Sequence, residues 1–280
     1  LLGQLSFSIN DAIVKYSVKL SNNDFTTLNI IFIRGIFTSV LIFLIMIFFT
    51  KIDISKIFIN KKSYLRGIFE VLTAIFFFAG LILMPMANVY TLLMTAPFII
   101  TLYAAIFLKE KVGIRRWSAV IIGFIGVIIV INPQNLQFGF LFVLPLIAAI
   151  FLTMRDVFTK GFVNKNNILE ITLITSLLIM LASGLGAVIL NIKIDFNYIV
   201  YIFISSLFLT IAYICSVLTI FYAPLSLTAA IRYTVIVFGI IIGYLILGEV
   251  PSYNMIIGAL IITASGLFVI KRQKDLGKIN

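Results

Sequence analysis

The sequence has no histidine and a single cysteine among its 280 residues. Histidine is the commonest metal ligand and the usual proton relay near neutral pH, so its absence argues against both roles. Cys215 has no partner for a disulfide within the chain. The sequence also lacks a glycine-rich phosphate-binding loop with its lysine and serine or threonine, which argues against a nucleotide-driven pump. We therefore expect no metal and no cofactor.

Charged residues are scarce, at 11% of the chain, whereas a soluble domain carries about 25%. Hydrophobic residues make up 62%, more than a soluble core could bury. A lipid bilayer must then be the solvent, and only helices or a closed barrel satisfy the backbone there. Apolar runs such as 28–49 and 199–221 favour helices, because barrel strands alternate in polarity over about ten residues.

Breaks at glycine, proline, asparagine and charge clusters divide the apolar sequence into ten predicted spans. The first of them lacks the basic start and the cleavage pattern of a signal peptide, so we interpret it as structural. The sequence therefore predicts an all-α integral membrane protein with ten transmembrane helices. Their predicted limits are 1–19, 27–50, 64–84, 88–108, 116–132, 138–159, 169–190, 198–221, 225–247 and 252–270.

The 21 basic residues are distributed very unevenly between the two predicted faces. With both termini inside, the inner loops and tail hold fifteen of them, the outer loops hold two, Lys19 and Lys193, and the spans hold four. Lysine and arginine in short loops stay cytoplasmic, so both termini are predicted to be cytoplasmic. Charge spread over separate loops also excludes nucleic acid as the natural partner.

The second half of the chain repeats short motifs of the first. Residues 108–112 around Glu110 recur 139 positions later around Glu249, and Asp11 to Lys15 is echoed by Asp156 to Lys160. Five helices per half is an odd number, so the second half must cross the membrane in the opposite sense. We predict two inverted five-helix repeats, residues 1–133 and 138–271, followed by a cytoplasmic tail at 272–280.

The motifs together resemble the ten-helix carriers of the drug/metabolite transporter superfamily, EamA type. The resemblance covers essentially the whole chain, although the ninth helix has no counterpart of Pro97. It rests on residues 8–15, Arg34, 85–88, Pro97, 107–113, 115–117, 123–127, 248–251 and 258–259.

This resemblance implies a transporter in a bacterial inner membrane that exports or exchanges a small metabolite by alternating access. Amino acids, drugs and compounds like S-adenosylmethionine are the substrate classes it suggests. It also implies a central cavity lined by the first, third, fourth, sixth, eighth and ninth helices, with the fifth and tenth at the periphery. Membrane lipids and a coupling proton or counter-substrate are the further partners expected.

Ionisable side chains inside spans are expensive and are therefore functional candidates. We predict that Arg232 binds an anionic substrate group, with Tyr233 beside it as a hydrogen-bonding residue. Snorkelling of Arg232 to the lipid headgroups is the alternative. Glu70 is predicted to neutralise Arg232 in the empty site, to bind a substrate ammonium group or to take up a proton; alternatively, it is a structural counter-ion of Arg232 or Arg155.

The remaining charged residues of the spans are candidates for gating or ion pairing. Asp11 with Lys15, and Asp156 with Lys160, have the spacing of intrahelical pairs. A bridge from Asp11 to Arg34 is the alternative, and it would close an outer gate. Arg155, by contrast, is predicted to bind the substrate. Arg155 and Asp156 point about 100° apart on a helix, so at most one of them is expected to face a given site.

The repeated Glu110 and Glu249 end helices on opposite sides of the membrane, so we interpret them as anchors of helix ends. Four polar side chains are candidates for hydrogen bonds to the substrate: Tyr90, Thr95, Tyr103 and Tyr233. The runner-up function is an integral-membrane enzyme acting on a lipid, and a channel is the third. The sequence disfavours an enzyme, since it lacks histidine and its inner acidic residues are scattered.

Overall fold

The computed structural model describes most of the chain. The described residues are 1–21, 26–49, 60–96, 98–99, 102, 113–132, 139–165, 167–192, 198–222 and 232–275. Much of the second part of the predicted fourth helix, including Pro97 and Tyr103, lies outside the described residues, and so does Glu110. The same holds for most of the linker between the halves and for the start of the predicted ninth helix.

Within these ranges the protein is all-α, as predicted, and contains no strand. The helices occur at the ten predicted places, and a short 3₁₀ segment, Gly139–Phe142, precedes the sixth. They are α1 Leu2–Ser21, α2 Thr26–Phe49, α3 Lys61–Leu83, α4 Met86–Leu93, α5 Ile114–Ile131, α6 Val143–Lys160, α7 Ile168–Ile189, α8 Ile199–Tyr222, α9 Thr234–Leu247 and α10 Tyr253–Asp275.

Two helix boundaries correct the sequence-based limits. The helix α10 continues to Asp275, so the first residues of the predicted tail are helical. The helix α4 stops at Leu93, where Met94 and Thr95 form a turn, although the sequence predicts a continuous helix. Tyr233, which stands 139 positions after Met94, is likewise a turn residue in front of α9. Both helices are thus interrupted at the same position of the repeat.

Five of the helices are long and apolar enough to cross a membrane: α2, α3, α7, α8 and α6 together with its 3₁₀ segment. The helices α5, α9 and α10 contain shorter apolar stretches. The helix α1 has 20 residues but is not in either group, because it carries buried polar residues at Ser6, Ser8, Asn10, Asp11 and Ser17. Its polar face must therefore be covered by protein rather than by lipid.

The principal helix contacts follow a pattern of equivalent pairs. The helix α1 packs on α8 as α3 packs on α6, and α1 contacts α9 as α4 contacts α6. The helix α2 packs on α8 as α3 packs on α7. Three further pairs join a helix to its own equivalent, namely α2 with α7, α4 with α9 and α5 with α10. The main hydrophobic core consequently contains residues of both halves.

Candidate functional site

A cavity lies between the two halves. The helices α1, α3, α6, α8 and α9 and the segment 90–94 around the end of α4 all contribute side chains to its wall. Among the described side chains, α5 and α10 contribute none, and all six helices predicted to line the cavity contribute to its wall. The helix α2 adds Arg34, which the prediction did not place on the wall.

One end of the cavity is occupied by a network of buried ion pairs. Nη1 of Arg155 lies 2.5 Å from Oε2 of Glu70, and Nη2 of Arg155 lies 2.7 Å from Oδ1 of Asp156. Asp156 also accepts a hydrogen bond from Arg232 through its other oxygen. Arg66, in the first turns of α3, bonds Thr175 and approaches Glu70 to 3.9 Å. These contacts connect the first half to the second, because Glu70 and Arg155 come from α3 and α6.

This pairing corrects several predicted partnerships. Arg232 is bonded to Asp156 rather than to Glu70, and Glu70 is the counter-ion of Arg155, as the alternative interpretation had it. Lys160 does not pair with Asp156; its ammonium group donates to the carbonyl oxygen of Ile220. The guanidinium of Arg155 donates two hydrogen bonds to its chain neighbour Asp156. The two side chains therefore meet, although they leave the helix about 100° apart. Only Arg155 of the two lines the cavity.

The fifteen basic residues predicted for the inner loops and tail include Arg66, but the structure places it inside the protein. Its side chain is buried, at 1% exposure, and its charge acts inside the protein. The sequence alone does not show this, because Arg66 follows Lys61 and Lys62 in a basic cluster that looks like an ordinary inner loop.

A second polar group on the cavity wall is centred on Asn10. Its Oδ1 accepts hydrogen bonds from Nη1 of Arg34 at 3.1 Å and from Oγ of Ser205 at 2.7 Å. Its Nδ2 donates to Oδ1 of Asp11 at 2.8 Å, and the hydroxyl of Tyr90 donates to Oδ2 of Asp11 at 2.6 Å. Asn10, Asp11, Arg34 and Tyr90 all line the cavity. Asp11 and Arg34 therefore share a site, but Asn10 stands between them in place of the predicted direct bridge.

Lys15 does not form the predicted pair with Asp11. Its ammonium group lies 2.5 Å from Oε1 of Glu249 and 2.5 Å from the carbonyl oxygen of Met84. The other carboxylate oxygen of Glu249 accepts a hydrogen bond of 2.7 Å from the backbone N–H of Met86, at the start of α4. The residues Lys15, Met84, Met86 and Glu249, which we call the end clamp, thus join the ends of α1, α3, α4 and α9. Glu249 anchors helix ends, as its position in the sequence predicts.

The polar candidates divide into those on the cavity wall and those away from it. Tyr90 lines the cavity. Thr95 is buried, and its hydroxyl bonds the carbonyl oxygen of Leu92. Tyr233 is also absent from the wall; its hydroxyl packs against Gly266 of α10, since the turn at Tyr233 directs the side chain outward. Tyr103 lies outside the described residues.

Sequence reasoning missed Asn10, Tyr213 and the aromatic wall of the cavity. The rings of Phe77 and Tyr90 stack with centroids 5.9 Å apart, and Phe7 meets Tyr213 edge to face at 6.0 Å. The spacing of Phe7, Asn10 and Asp11 along α1 places them on one helix face, which is a signal that could have been used. The position of Tyr213 inside a long apolar run gives no such signal.

Comparison with known proteins bears on this architecture directly. Residues 1–132 match the sequence model of the EamA-like transporter family. The match spans nearly half of the chain and makes its first half similar to that family. This result confirms the resemblance to the drug/metabolite transporter superfamily and identifies a multi-pass membrane protein.

Relatives of this EamA-like chain extend the similarity to its second half. The S-adenosylmethionine uptake transporter of Rickettsia conorii is 25% identical over 98% of this chain and 92% of its own length. The riboflavin transporter of Rhizobium johnstonii is 26% identical over 70% of this chain and 65% of its own length. A solved structure entitled "Crystal structure of protein" matches 97% of the chain with a TM-score of 0.61 at 13% identity, which supports the fold alone.

Proposed function

We propose that this EamA-like protein is a secondary transporter of a small polar or zwitterionic metabolite, such as an amino acid or a compound like S-adenosylmethionine. The observation that carries the proposal is the cavity, because side chains of both halves build it and charged groups of both signs line it. A carrier needs such a site at the interface of two parts that move against each other. The relatives named as transporters of S-adenosylmethionine and riboflavin support a metabolite of moderate size.

Alternating access by two inverted repeats, residues 1–133 and 138–271, is the mechanism we propose. Its support is the pattern of equivalent helix contacts and the matching interruptions at Met94 and Tyr233. The end clamp would close one entrance, since Lys15 of the first repeat reaches Glu249 of the second. Opening that entrance would require this ion pair to separate while the opposite end closes.

For the cellular setting, we propose a bacterial inner membrane with both termini cytoplasmic and with export or exchange as the mode of transport. The charge distribution of the loops supports this orientation. Exchange requires a counter-substrate, and export would require a coupling proton or another driving ion.

Counterflow in proteoliposomes tests the proposal directly. Vesicles preloaded with unlabelled S-adenosylmethionine, methionine or riboflavin should accumulate the labelled form of the transported compound in a saturable manner. Conversion of the compound into a product would instead indicate an enzyme, and a conductance that does not saturate would indicate a channel. Either result would overturn the proposal.

We further propose that Arg232, Arg155, Glu70 and Tyr90 contact the substrate during its passage. Arg232 lines both the central cavity and a smaller neighbouring cavity near the start of α1. It therefore stands between the two spaces. An arginine there would receive the anionic group as the substrate moves, exchanging its bond to Asp156 for one to the substrate.

Replacing Arg232 with lysine should lower the maximal transport rate severalfold, because lysine keeps the charge but loses the planar fork. Equilibrium binding should change by less than about twofold, since a loss confined to passage affects rate rather than affinity. Counterflow measures the transport rate, and a binding titration measures the affinity. Arg115→Lys, at an exposed position early in α5, is the matched control. A normal rate in Arg232→Lys would remove Arg232 from the pathway.

A further inference from the structure

The distribution of buried charge around the cavity leaves one arginine without a carboxylate in contact. Among the described residues, four guanidinium groups and three carboxylates belong to the cavity and its ion-pair network: Arg34, Arg66, Arg155, Arg232, Asp11, Glu70 and Asp156. Arg155 and Arg232 bond carboxylates, and Arg66 lies 3.9 Å from one. Arg34 is therefore the exception within the described part of the chain.

Arg34 is 2% exposed, yet the described residues give its guanidinium a single hydrogen-bond acceptor, the neutral amide of Asn10. Its Nε has no hydrogen-bond partner. The ring of Phe78 lies 5.0 Å from the guanidinium carbon and supplies a cation–π contact. A buried cation with five N–H donors and one acceptor is incompletely satisfied. Because Arg34 lines the cavity, its missing partner can arrive from there.

Asp11, on the same cavity wall, has fewer hydrogen-bond donors around it than its carboxylate can accept. Each of its oxygens accepts one hydrogen bond, from Asn10 and from Tyr90. A carboxylate offers about four acceptor positions, so about two remain for a ligand. No cation of the described residues lies within 4.0 Å of it, although Arg34 attracts it from farther away. Asn10 holds both residues in place, because its carbonyl oxygen faces Arg34 and its amide nitrogen faces Asp11.

We propose that Arg34 and Asp11 form the binding site for the zwitterionic head of the substrate, an α-amino carboxylate. The substrate carboxylate bonds the guanidinium of Arg34, and the ammonium group bonds Asp11. The two ligand groups supply the charges that the empty site lacks, so binding neutralises both protein groups together. This inference rests on the proposed transport function and names the part of the substrate that the cavity recognises.

The rest of the substrate lies against the aromatic wall. Phe77, Phe78 and Tyr90 adjoin the Arg34 and Asp11 groups, and Phe7 and Tyr213 continue the wall. Such a surface favours a flat ring or a delocalised cation over a long polar chain. The expected substrate is therefore an α-amino acid with an aromatic, heterocyclic or cationic side group.

The test measures the affinity of two ligands for two forms of the protein, so that the four values form a thermodynamic cycle. S-adenosylmethionine and its decarboxylated analogue are titrated against the wild-type protein and Arg34→Lys. Removal of the carboxylate should weaken binding to wild type by about 10- to 100-fold, the usual effect of losing hydrogen bonds to a charged group. Arg34→Lys should weaken binding of S-adenosylmethionine to a similar extent and leave the decarboxylated analogue nearly unaffected, because that ligand makes no bond to Arg34.

Equal binding of the two ligands to wild type would overturn the inference, as would equal losses in Arg34→Lys. The wild-type comparison needs no substitution, so it stands even where Arg34→Lys folds poorly. Asp11→Asn should weaken the binding of amino acids that retain the ammonium group. It should leave the binding of their deaminated analogues nearly unchanged. Saturable counterflow of riboflavin with no binding of S-adenosylmethionine, methionine or phenylalanine would refute the zwitterion site while leaving the transport function intact.

Discussion

Replacement of Glu70 by glutamine is expected to destabilise the protein by about 3–5 kcal/mol, the usual result of removing one partner from a buried ion pair. The change leaves Arg155 with Asp156 alone, and Asp156 is already shared with Arg232. Arg66 loses its only nearby described carboxylate as well. Thermal unfolding of the purified protein in lipid nanodiscs measures the effect, and we expect a large fall in the unfolding midpoint.

Glu170→Gln is the matched control, because Glu170 is only half-buried and accepts a hydrogen bond of 3.2 Å from Ser63. Its midpoint should barely change. The double replacement Glu70→Gln with Arg155→Gln should recover part of the lost stability, since it removes the uncompensated charge along with its partner. Wild-type stability in Glu70→Gln would show that the network does not hold the two halves together.

The second large effect is expected at the contact between α5 and α10. A Cβ atom placed on Gly258 would lie 2.7 Å from the carbonyl oxygen of Gly126 and would also meet the side chain of Val130. Backbone cannot move aside as a flexible side chain does, so Gly258→Val must push the helices apart. We expect a destabilisation of about 1–3 kcal/mol, as is typical of overpacking. Thermal unfolding in nanodiscs provides the measurement.

Gly113→Ala is the appropriate comparison, because a Cβ at Gly113 would meet nothing within 4 Å. Neither α5 nor α10 lines the cavity, so the folded fraction of Gly258→Val should bind substrate with unchanged affinity. A variant that keeps its stability but loses substrate affinity would contradict the assignment of α5 and α10 to the periphery.

The helices and their order could be predicted from the sequence, because the apolar runs and the polar breaks between them follow directly from the demands of a bilayer. The interruption at Met94 has a signal in the sequence, because Pro97 lacks the N–H that would bond the carbonyl oxygen of Leu93, four residues earlier. The equivalent turn at Tyr233 has no such signal, since isoleucine stands at position 236 where the repeat would place a proline. The extension of α10 to Asp275 was missed because a charged helix outside the apolar stretch gives no hydropathy signal.

The sequence predicted some of the residues that form the site, but it did not predict which of them bond each other. Charge inside an apolar run identified Arg34, Glu70 and Arg232 as unusual. Sequence spacing then favoured local partners, such as Asp11 for Lys15, whereas the structure pairs Lys15 with Glu249, which is far away in the chain. Long side chains reach between helices, and the direction in which each helix faces is set by packing against distant segments. Tyr233 shows the same limit, because a turn beside Arg232 directs its ring away from the cavity.

The polar face of α1 has a consequence for how the protein is made. Asn10 bonds Ser205, and α1 packs principally on α8, which leaves the ribosome about two hundred residues later. During synthesis α1 is therefore made before the partners of its polar face, so Asn10 initially lacks its hydrogen bond to Ser205. Chains that stop before α8 would expose this polar face to lipid, where unsatisfied polar atoms are costly. We therefore expect α1 to be stably inserted only after α8 has been made.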